Sequence, residues 1–253
     1  MKLVDTHCHL DNEKFDLDRE IIIDEIEKNL EFIVNIGYDL KSSERSVELA
    51  NKYSFIYATV GIHPIDITDY NEELEGKIEE LAQDKKVVAI GEIGLDYHWM
   101  TTPKEFQIEC FRKQIELAKR VDKPVVIHTR DAMEDTVNIL KEYPEITGVL
   151  HCYPGSYDTA KLLIDRFYLG IGGVLTFKNS KKTVEVVKNI PLERMVIETD
   201  SPYLTPEPNR GKRNEPLYVE YVARKIAEIK GIEYEEVVKV TTENAKKLYK
   251  IEA

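Results

Sequence analysis

VVAIGEIGLDYHWMTTPKEFQIECFRKQIELAKRVDKPVVIHT, residues 87–129, holds two β-branched, apolar runs on either side of one long amphipathic segment. The runs VVAIGEIG (87–94) and PVVIHT (124–129) have strand composition. Between them, Phe111, Ile115 and Ala118 fall on one helical face, with Cys110, Gln114, Leu117 and Val121 beside it. Thr102-Pro103-Lys104-Glu105 marks where that helix, 103–121, should begin. Thr serves as N-cap, Pro takes the first helical position with its φ already set, and Glu at the third completes a capping box. A strand, a helix and a strand in this order form a right-handed βαβ unit with parallel strands.

The same alternation runs through the chain. Further strand candidates are KLVDTHC (2–8), EFIVNIGY (31–38), IYATVGI (56–62), GVLHCY (148–153), YLGIGG (168–173) and MVIETD (195–200), which brings the set to eight. Eight βα units can close into a barrel, and 253 residues is an ordinary length for one. The expectation is an α/β fold, a (β/α)8 TIM barrel forming a single domain over 1–253, with an open doubly wound sheet as the alternative. No internal repeat, low-complexity tract or Gly/Ser linker suggests a boundary.

Composition narrows the function classes. No apolar run approaches the roughly 18 residues that would span a bilayer, so no membrane role is expected. Met1-Lys2-Leu3 leads directly into a strand without the pattern of a secretory leader. Three dispersed cysteines, Cys8, Cys110 and Cys152, give no disulfide framework. A cytoplasmic location is expected, with no obligate protein partner evident. The formal charge of −12 would repel nucleic acid unless a local site reverses the field.

Barrel active sites lie where the strand C-termini open. The strand ends here carry His7 and His9, His63, Glu92, His128, His151 and Asp200, while the remaining histidine, His98, lies beyond the fourth strand. Side chains alternate along a strand, so His7 and His9 point one way and Cys8 points toward the helices. Asp5 shares the face of the two histidines and could orient an imidazole. Glu92 sits among apolar residues, where a carboxylate must be paired or bound to metal. Asp96 and Tyr97 follow it as weaker candidates. Glu198 and Asp200 share a face at period two; Asp200, at the tip, is the preferred ligand or base, and Glu198 reads as a structural acceptor.

DTHCHLD, VGIHP, GEIGLDY, QIECFRKQIELAKRVDKPVVIHTRDA, HCYPGS, GGVLTF, ETDSPYL, RGKRNEP and TTENAKKLY, in that order, resemble the TatD family of metal-dependent hydrolases, within the amidohydrolase-like barrels. The resemblance spans essentially the whole chain. It implies that His7 and His9 ligate one metal, that His128 and His151 ligate the other, and that Glu92 bridges them. Asp200 then completes the first site and handles a proton. The family often has His before the Arg-Gly of the last loop, where this chain has Asn209.

Two divalent ions can activate a water, orient a scissile phosphate and stabilise the leaving oxygen. Four neutral imidazoles and two carboxylates carry about −2 against +4 from the ions, so the ligand shell keeps about +2 and can attract a polyanion to an acidic protein. Arg130, Arg210, Lys212 and Arg213 add basic groups on the loop side. His63 could contact the phosphate, protonate the leaving group, or serve structurally. Tyr203 or Tyr153 could stack a base, although packing is the default role of a Tyr. A histidine-rich set suits Zn, Mn, Fe, Co or Ni, whereas the family is usually described as active with Mg. The expected function is a two-metal phosphodiesterase acting on DNA from the 3′ side. RNA remains a possible substrate, and the alternative is an ester or amide hydrolase such as a D-aminoacyl-tRNA deacylase or a lactonase. A non-catalytic metal or nucleic-acid binding protein is the third reading.

Overall fold

In the computed structural model, which describes residues 1–251, strands and helices alternate along the chain. The strands are β1 (Leu3–Cys8), β2 (Leu30–Ile36), β3 (Ile56–Val60), β4 (Val87–Asp96), β5 (Val125–Arg130), β6 (Gly148–Leu150), β7 (Phe167–Ile171) and β8 (Met195–Ile197). The helices are α1 (Arg19–Asn29), α2 (Leu40–Lys52), α3 (Glu72–Leu81), α4 (Lys104–Arg120), α5 (Met133–Glu142), α6 (Tyr157–Lys161), α7 (Lys181–Asn189), α8 (Val219–Lys230) and α9 (Tyr234–Tyr249). The strands form one sheet in the order β1 to β8. Cys8 makes a parallel bridge to Ser201, so the first strand also neighbours the segment after the last. A strand order that returns to its start is the topology of the (β/α)8 TIM barrel class.

The chain divides into two compact units, one of residues 1–35 with those from His151 onward, the other Ile36–Leu150. In the first, β1 pairs with β2 and β7 with β8, all in parallel. The Thr6 hydroxyl donates to the Ile197 carbonyl at 3.0 Å, fastening β1 beside β8. Helix α9 is tied to both strands. The Asn244 amide donates to the carbonyls of Leu192 and Met195 at 2.9 and 2.7 Å, and the Tyr249 hydroxyl to that of Thr6 at 3.3 Å. Val4, Ile33, Phe167, Leu169 and Val196 are fully buried, each contributing roughly 1.5–3 kcal/mol of apolar burial.

In the second unit β3, β4, β5 and β6 are consecutive parallel neighbours. Every residue of β4 is buried, as expected for a parallel strand covered on both faces. Helix α4 lies one residue inside each expected end and buries the expected face, Cys110, Phe111, Gln114, Ile115, Leu117 and Ala118. Its start differs from the sequence expectation. Pro103, in extended geometry (φ −59°, ψ 150°), is the N-cap residue, no side chain caps the helix, and the buried Thr102 hydroxyl has no hydrogen-bond partner. The helix therefore begins one residue later than a Thr102 capping box requires, which takes the Thr102 hydroxyl out of reach of the first-turn amides.

Two buried glutamines on α4, seven residues apart and so on one face, fix backbone at the strand ends. Gln107 accepts from the Asp96 N–H at 2.9 Å and donates to the Asp96 carbonyl at 3.0 Å. Gln114 does the same for Ile62, at 2.8 and 2.9 Å, one residue before His63. Strands β6 and β8 are shorter than the apolar runs suggested. Cys152 (φ 42°) and Asp200 (φ 55°) adopt left-handed geometry, so the chain has left the sheet where the polar residues begin.

Candidate metal centre

His7 comes from within β1 and His9 from the residue after its end, while Asp200 follows β8 by three residues. The Asp200 N–H donates to the His7 carbonyl at 2.8 Å and the His9 N–H to the Ser201 carbonyl at 2.8 Å. These backbone bonds hold the side chains together. Asp200 Oδ1 lies 3.6 Å from His7 Nε2 and 3.4 Å from His9 Nε2. Burial opposes ionisation of Asp200, but the hydrogen bond from His9 and the imidazoles of His151 and His7 outweigh it, and its pKa falls below the ordinary carboxylate value.

His151, directly after β6, stacks on His7 with ring centroids 3.9 Å apart and planes inclined by 14°. Its Nδ1 is 3.3 Å from Glu198 Oε1, which also accepts the Cys152 N–H at 2.5 Å. A Cβ on Gly170 would collide with Glu198 Oε2 and lie 3.0 Å from the His151 Cα, so glycine there makes the room both residues need. Glu198 therefore lies with His7 and His151, and Asp200 with His7 and His9, so His7 is common to both groups. β8 ends at Ile197, so strand alternation does not itself set their directions, yet both carboxylates reach groups that contain His7.

In the second unit the cluster is His63, Glu92 and His128. Glu92 Oε1 lies 3.1 Å from His128 Nδ1 and 3.8 Å from His63 Nε2, and the two rings are 4.3 Å apart. The other nitrogen of His128, Nε2, is 2.9 Å from Asp96 Oδ2. Asp96 Oδ1 accepts the N–H groups of His98 and Trp99 at 2.9 and 2.8 Å. Burial raises the Asp96 pKa, but the His128 hydrogen bond and the Trp99 N–H more than reverse it, to about 2. Asp96 is thus a carboxylate at neutral pH and orients the His128 ring. A neutral His128 that donates Nε2–H to Asp96 turns the lone pair of Nδ1 toward Glu92.

Within each cluster the candidate ligand atoms lie no more than 4.8 Å from one another: His7, His9 and Asp200; His7, His151 and Glu198; His63, Glu92 and His128. Lone pairs and carboxylate oxygens this close repel unless a cation or proton lies between them, and Glu198 Oε2 is buried with no hydrogen-bond partner. Imidazole nitrogen with carboxylate oxygen is a donor set that suits divalent transition metals, so these residues fit a bound cation.

The family model for the TatD related DNases matches residues 4–250. The chain belongs to the TatD related DNase family. YabD of Bacillus subtilis (strain 168), described as an uncharacterized metal-dependent hydrolase, is 51% identical over 253 residues, covering 98% of this chain and 99% of YabD. Escherichia coli K12 YcfH, described in the same words, is 37% identical over 261 residues, covering 100% and 97%. Among solved structures, the TatD homolog YJJV of Escherichia coli K12 matches with a TM-score of 0.92 at 28% identity, covering 99% of this chain and 98% of YJJV. The protein is a metal-dependent hydrolase of the TatD family.

The groups expected around the TatD site fall in varied surroundings. Asp5 is fully buried and acts on backbone: it accepts the N–H groups of His7 (3.2 Å) and Thr199 (2.9 Å) and the Thr199 hydroxyl (2.5 Å). It aligns the chain before both His7 and Asp200, where an imidazole contact was expected. Arg213 makes a two-pronged ion pair with Asp18, 2.7 Å at each prong, and covers the Phe15 ring. Arg210 donates to the Thr205 carbonyl at 2.8 Å and lies over Phe177. The Lys212 ammonium is 3.5 Å from the Asn209 side-chain oxygen. Tyr153 is buried, its hydroxyl donating to the Ser156 carbonyl, whereas Tyr203 is 45% exposed with its ring 6.3 Å from that of His9. Arg130 is exposed, beside Trp99. Asp96, which orients His128, and Glu198, 3.3 Å from His151 Nδ1, are the residues that sequence reasoning undervalued. For Asp96 a signal existed, since it shares strand parity with Glu92.

Proposed function

We propose that the protein is a two-metal phosphodiesterase that hydrolyses DNA, acting as a 3′–5′ exodeoxyribonuclease. The observation that carries this reading is the gathering of histidines and carboxylates into close clusters at strand ends, in a chain of the TatD related DNase family. The proposed donors to two divalent cations (Zn, Mn, Mg, Ni or Co) are His7, His9, His151 and Asp200 of the first unit and Glu92 and His128 of the second. When bound, such cations polarise the scissile phosphate and ease deprotonation of the attacking water.

The protein's own groups divide the remaining work. Asp200, whose pKa lies below the ordinary carboxylate value, is ionised at neutral pH and accepts the proton of the attacking water on a carboxylate oxygen. His63 Nδ1 accepts the Ile65 N–H at 3.2 Å, which puts the proton of the neutral ring on Nε2, the nitrogen that lies 3.8 Å from Glu92 Oε1, where it can donate to the phosphate or to the leaving oxygen. Asp96 keeps the His128 ring in one tautomer. Arg130 supplies positive charge for the phosphate chain, with Arg210, Lys212 and Arg213 as further basic groups and Tyr203 as a stacking surface. Cys8, Cys110 and Cys152 are not disulfide-bonded, which suits the reducing cytoplasm in which we place the protein. No described helix is long and apolar enough to cross a membrane.

The test is turnover of 3′-labelled single-stranded DNA against D-aminoacyl-tRNA on one metal-loaded preparation. The reading expects nucleotide release from the labelled end and a loss of orders of magnitude in Asp200→Asn. Deacylation without release of nucleotides would make the protein an ester hydrolase instead. An Asp200→Asn protein as active as the parent would remove the proposed chemistry altogether.

A further inference from the structure

The chain has one tryptophan, Trp99, and it is 57% exposed, next to Met100 at 47%. Single exposed apolar side chains are ordinary, but here two adjacent large ones are held out together by one ordered loop. The loop that presents them is built rather than loose. Its first residue, Asp96, is clamped through N–H and carbonyl by Gln107, and its carboxylate holds the amides of His98 and Trp99. The Thr101 N–H donates to the Trp99 carbonyl at 3.0 Å and the Thr101 hydroxyl to the Ile65 carbonyl at 3.0 Å. The same Asp96 carboxylate holds His128 at 2.9 Å, so the loop and a proposed metal ligand share one anchor.

Cations flank the aromatics of this loop. The Arg130 guanidinium lies 5.9 Å from the Trp99 ring centre and the Lys104 ammonium 4.1 Å from that of Tyr97. The His98 ring stands edge-on to Trp99 at 4.9 Å, with its Nδ1 3.4 Å from Asp131. A flat indole face with a guanidinium beside it matches one nucleotide, whose base stacks while its phosphate meets the arginine. A paired, stacked base inside a duplex cannot use such a shelf, whereas an unpaired base at a strand end can.

We infer that Trp99, with Arg130, is a base-stacking subsite that selects single-stranded nucleic acid, seating one unpaired base on the indole beside the His63–Glu92–His128 cluster. This rests on the proposed nucleic-acid hydrolase function and specifies the strand state that the site takes. Trp99 is then a specificity-determining residue and Arg130 its phosphate partner.

Because Trp99 is the sole tryptophan, its fluorescence reports on the subsite directly. The experiment adds a phosphorothioate-linked single-stranded oligonucleotide, which resists hydrolysis, to the metal-loaded protein, with a blunt duplex of the same sequence as comparison. Quenching by the single strand, and far weaker quenching by the duplex, is expected. Anisotropy of a labelled oligonucleotide should show Trp99→Ala weakening binding roughly tenfold, while Trp99→Tyr keeps most of it. On cleavable DNA the Ala variant should raise KM and leave kcat nearly unchanged. A wild-type protein that cleaves DNA with a silent Trp99 signal, or a Trp99→Ala variant with unaltered affinity, overturns the subsite and leaves the nuclease reading standing. Quenching without hydrolysis supports the subsite and removes the nuclease reading. A Trp99→Ala change that spares oligonucleotide binding but dissociates an oligomer would make the shelf a protein contact and overturn the inference.

Discussion

Asp96→Asn changes one atom and should cost the protein much of its metal. Asp96 Oδ1 accepts two backbone N–H groups, from His98 and Trp99, at 2.9 and 2.8 Å. In the variant those amides pin the asparagine oxygen at the same place, which puts its NH2 where Oδ2 stood, 2.9 Å from His128 Nε2. An NH2 there must donate, so His128 Nε2 becomes the acceptor and the ring proton moves to Nδ1, the nitrogen 3.1 Å from Glu92. The lone pair offered to the cation is thereby lost, or the asparagine must break its two amide bonds to restore it. Replacing a carboxylate that orients a metal-binding histidine typically costs 10–100-fold in metal affinity, about 1.4–2.7 kcal/mol. Isothermal titration with Mn or Zn into metal-free wild type and variant reads this directly, and thermal melting of the metal-free proteins separates it from general destabilisation. Equal affinity in the two proteins, with equal melting temperatures, would refute the role given to Asp96.

Gly170→Ala should lower metal-free stability by about 1–3 kcal/mol, measured by urea unfolding, because the new methyl meets the Glu198 carboxylate and the His151 backbone inside the fold. The Asp18–Arg213 pair should be visible in pH dependence: the hydrogen bond from Arg213 lowers the Asp18 pKa. That contribution is present above the ordinary carboxylate value and lost as pH falls through the lowered folded one. The stability gap between wild type and Arg213→Gln, read by melting temperature, should be within about 1 kcal/mol at pH 7 and close in acid. Burial pushes the Cys110 thiol up to about 12, so at pH 8 it carries almost no thiolate. Mass mapping after a pulse of thiol reagent should find Cys110 unmodified until denaturant is added.

Local pattern carried the elements well, and contacts across long sequence separations carried what it missed. The face of α4 was legible because helical period and apolar content agree over 17 residues. His7 and His9 were legible because strand parity sets them on one side, with Cys8 apart from them: its Sγ donates to the Val34 carbonyl at 3.5 Å. Glu198 and Asp200 lie past the end of β8, where the chain leaves the sheet and no local signal announces the left-handed geometry of Asp200, so parity alone does not fix their placement beside His7. Asp96 looked like a loop residue because its meaning lies 32 positions away, at His128. Arg213 looked like one basic group among several; its partner Asp18 is 195 positions distant, and only folding brings the two together. The Trp99 shelf was invisible for a similar reason, since exposure of a tryptophan cannot be read from its neighbours in sequence.

The central claim is that the clustered histidines and carboxylates hold divalent cations, and the most direct measurement is metal content per chain. Protein stripped of metal, reconstituted with Mn or Zn, freed of excess ion and analysed by inductively coupled plasma mass spectrometry should retain two equivalents. A variant carrying His7→Ala and His9→Ala, or one carrying His128→Ala, should retain fewer. A wild-type protein that retains no divalent ion after reconstitution would contradict the account.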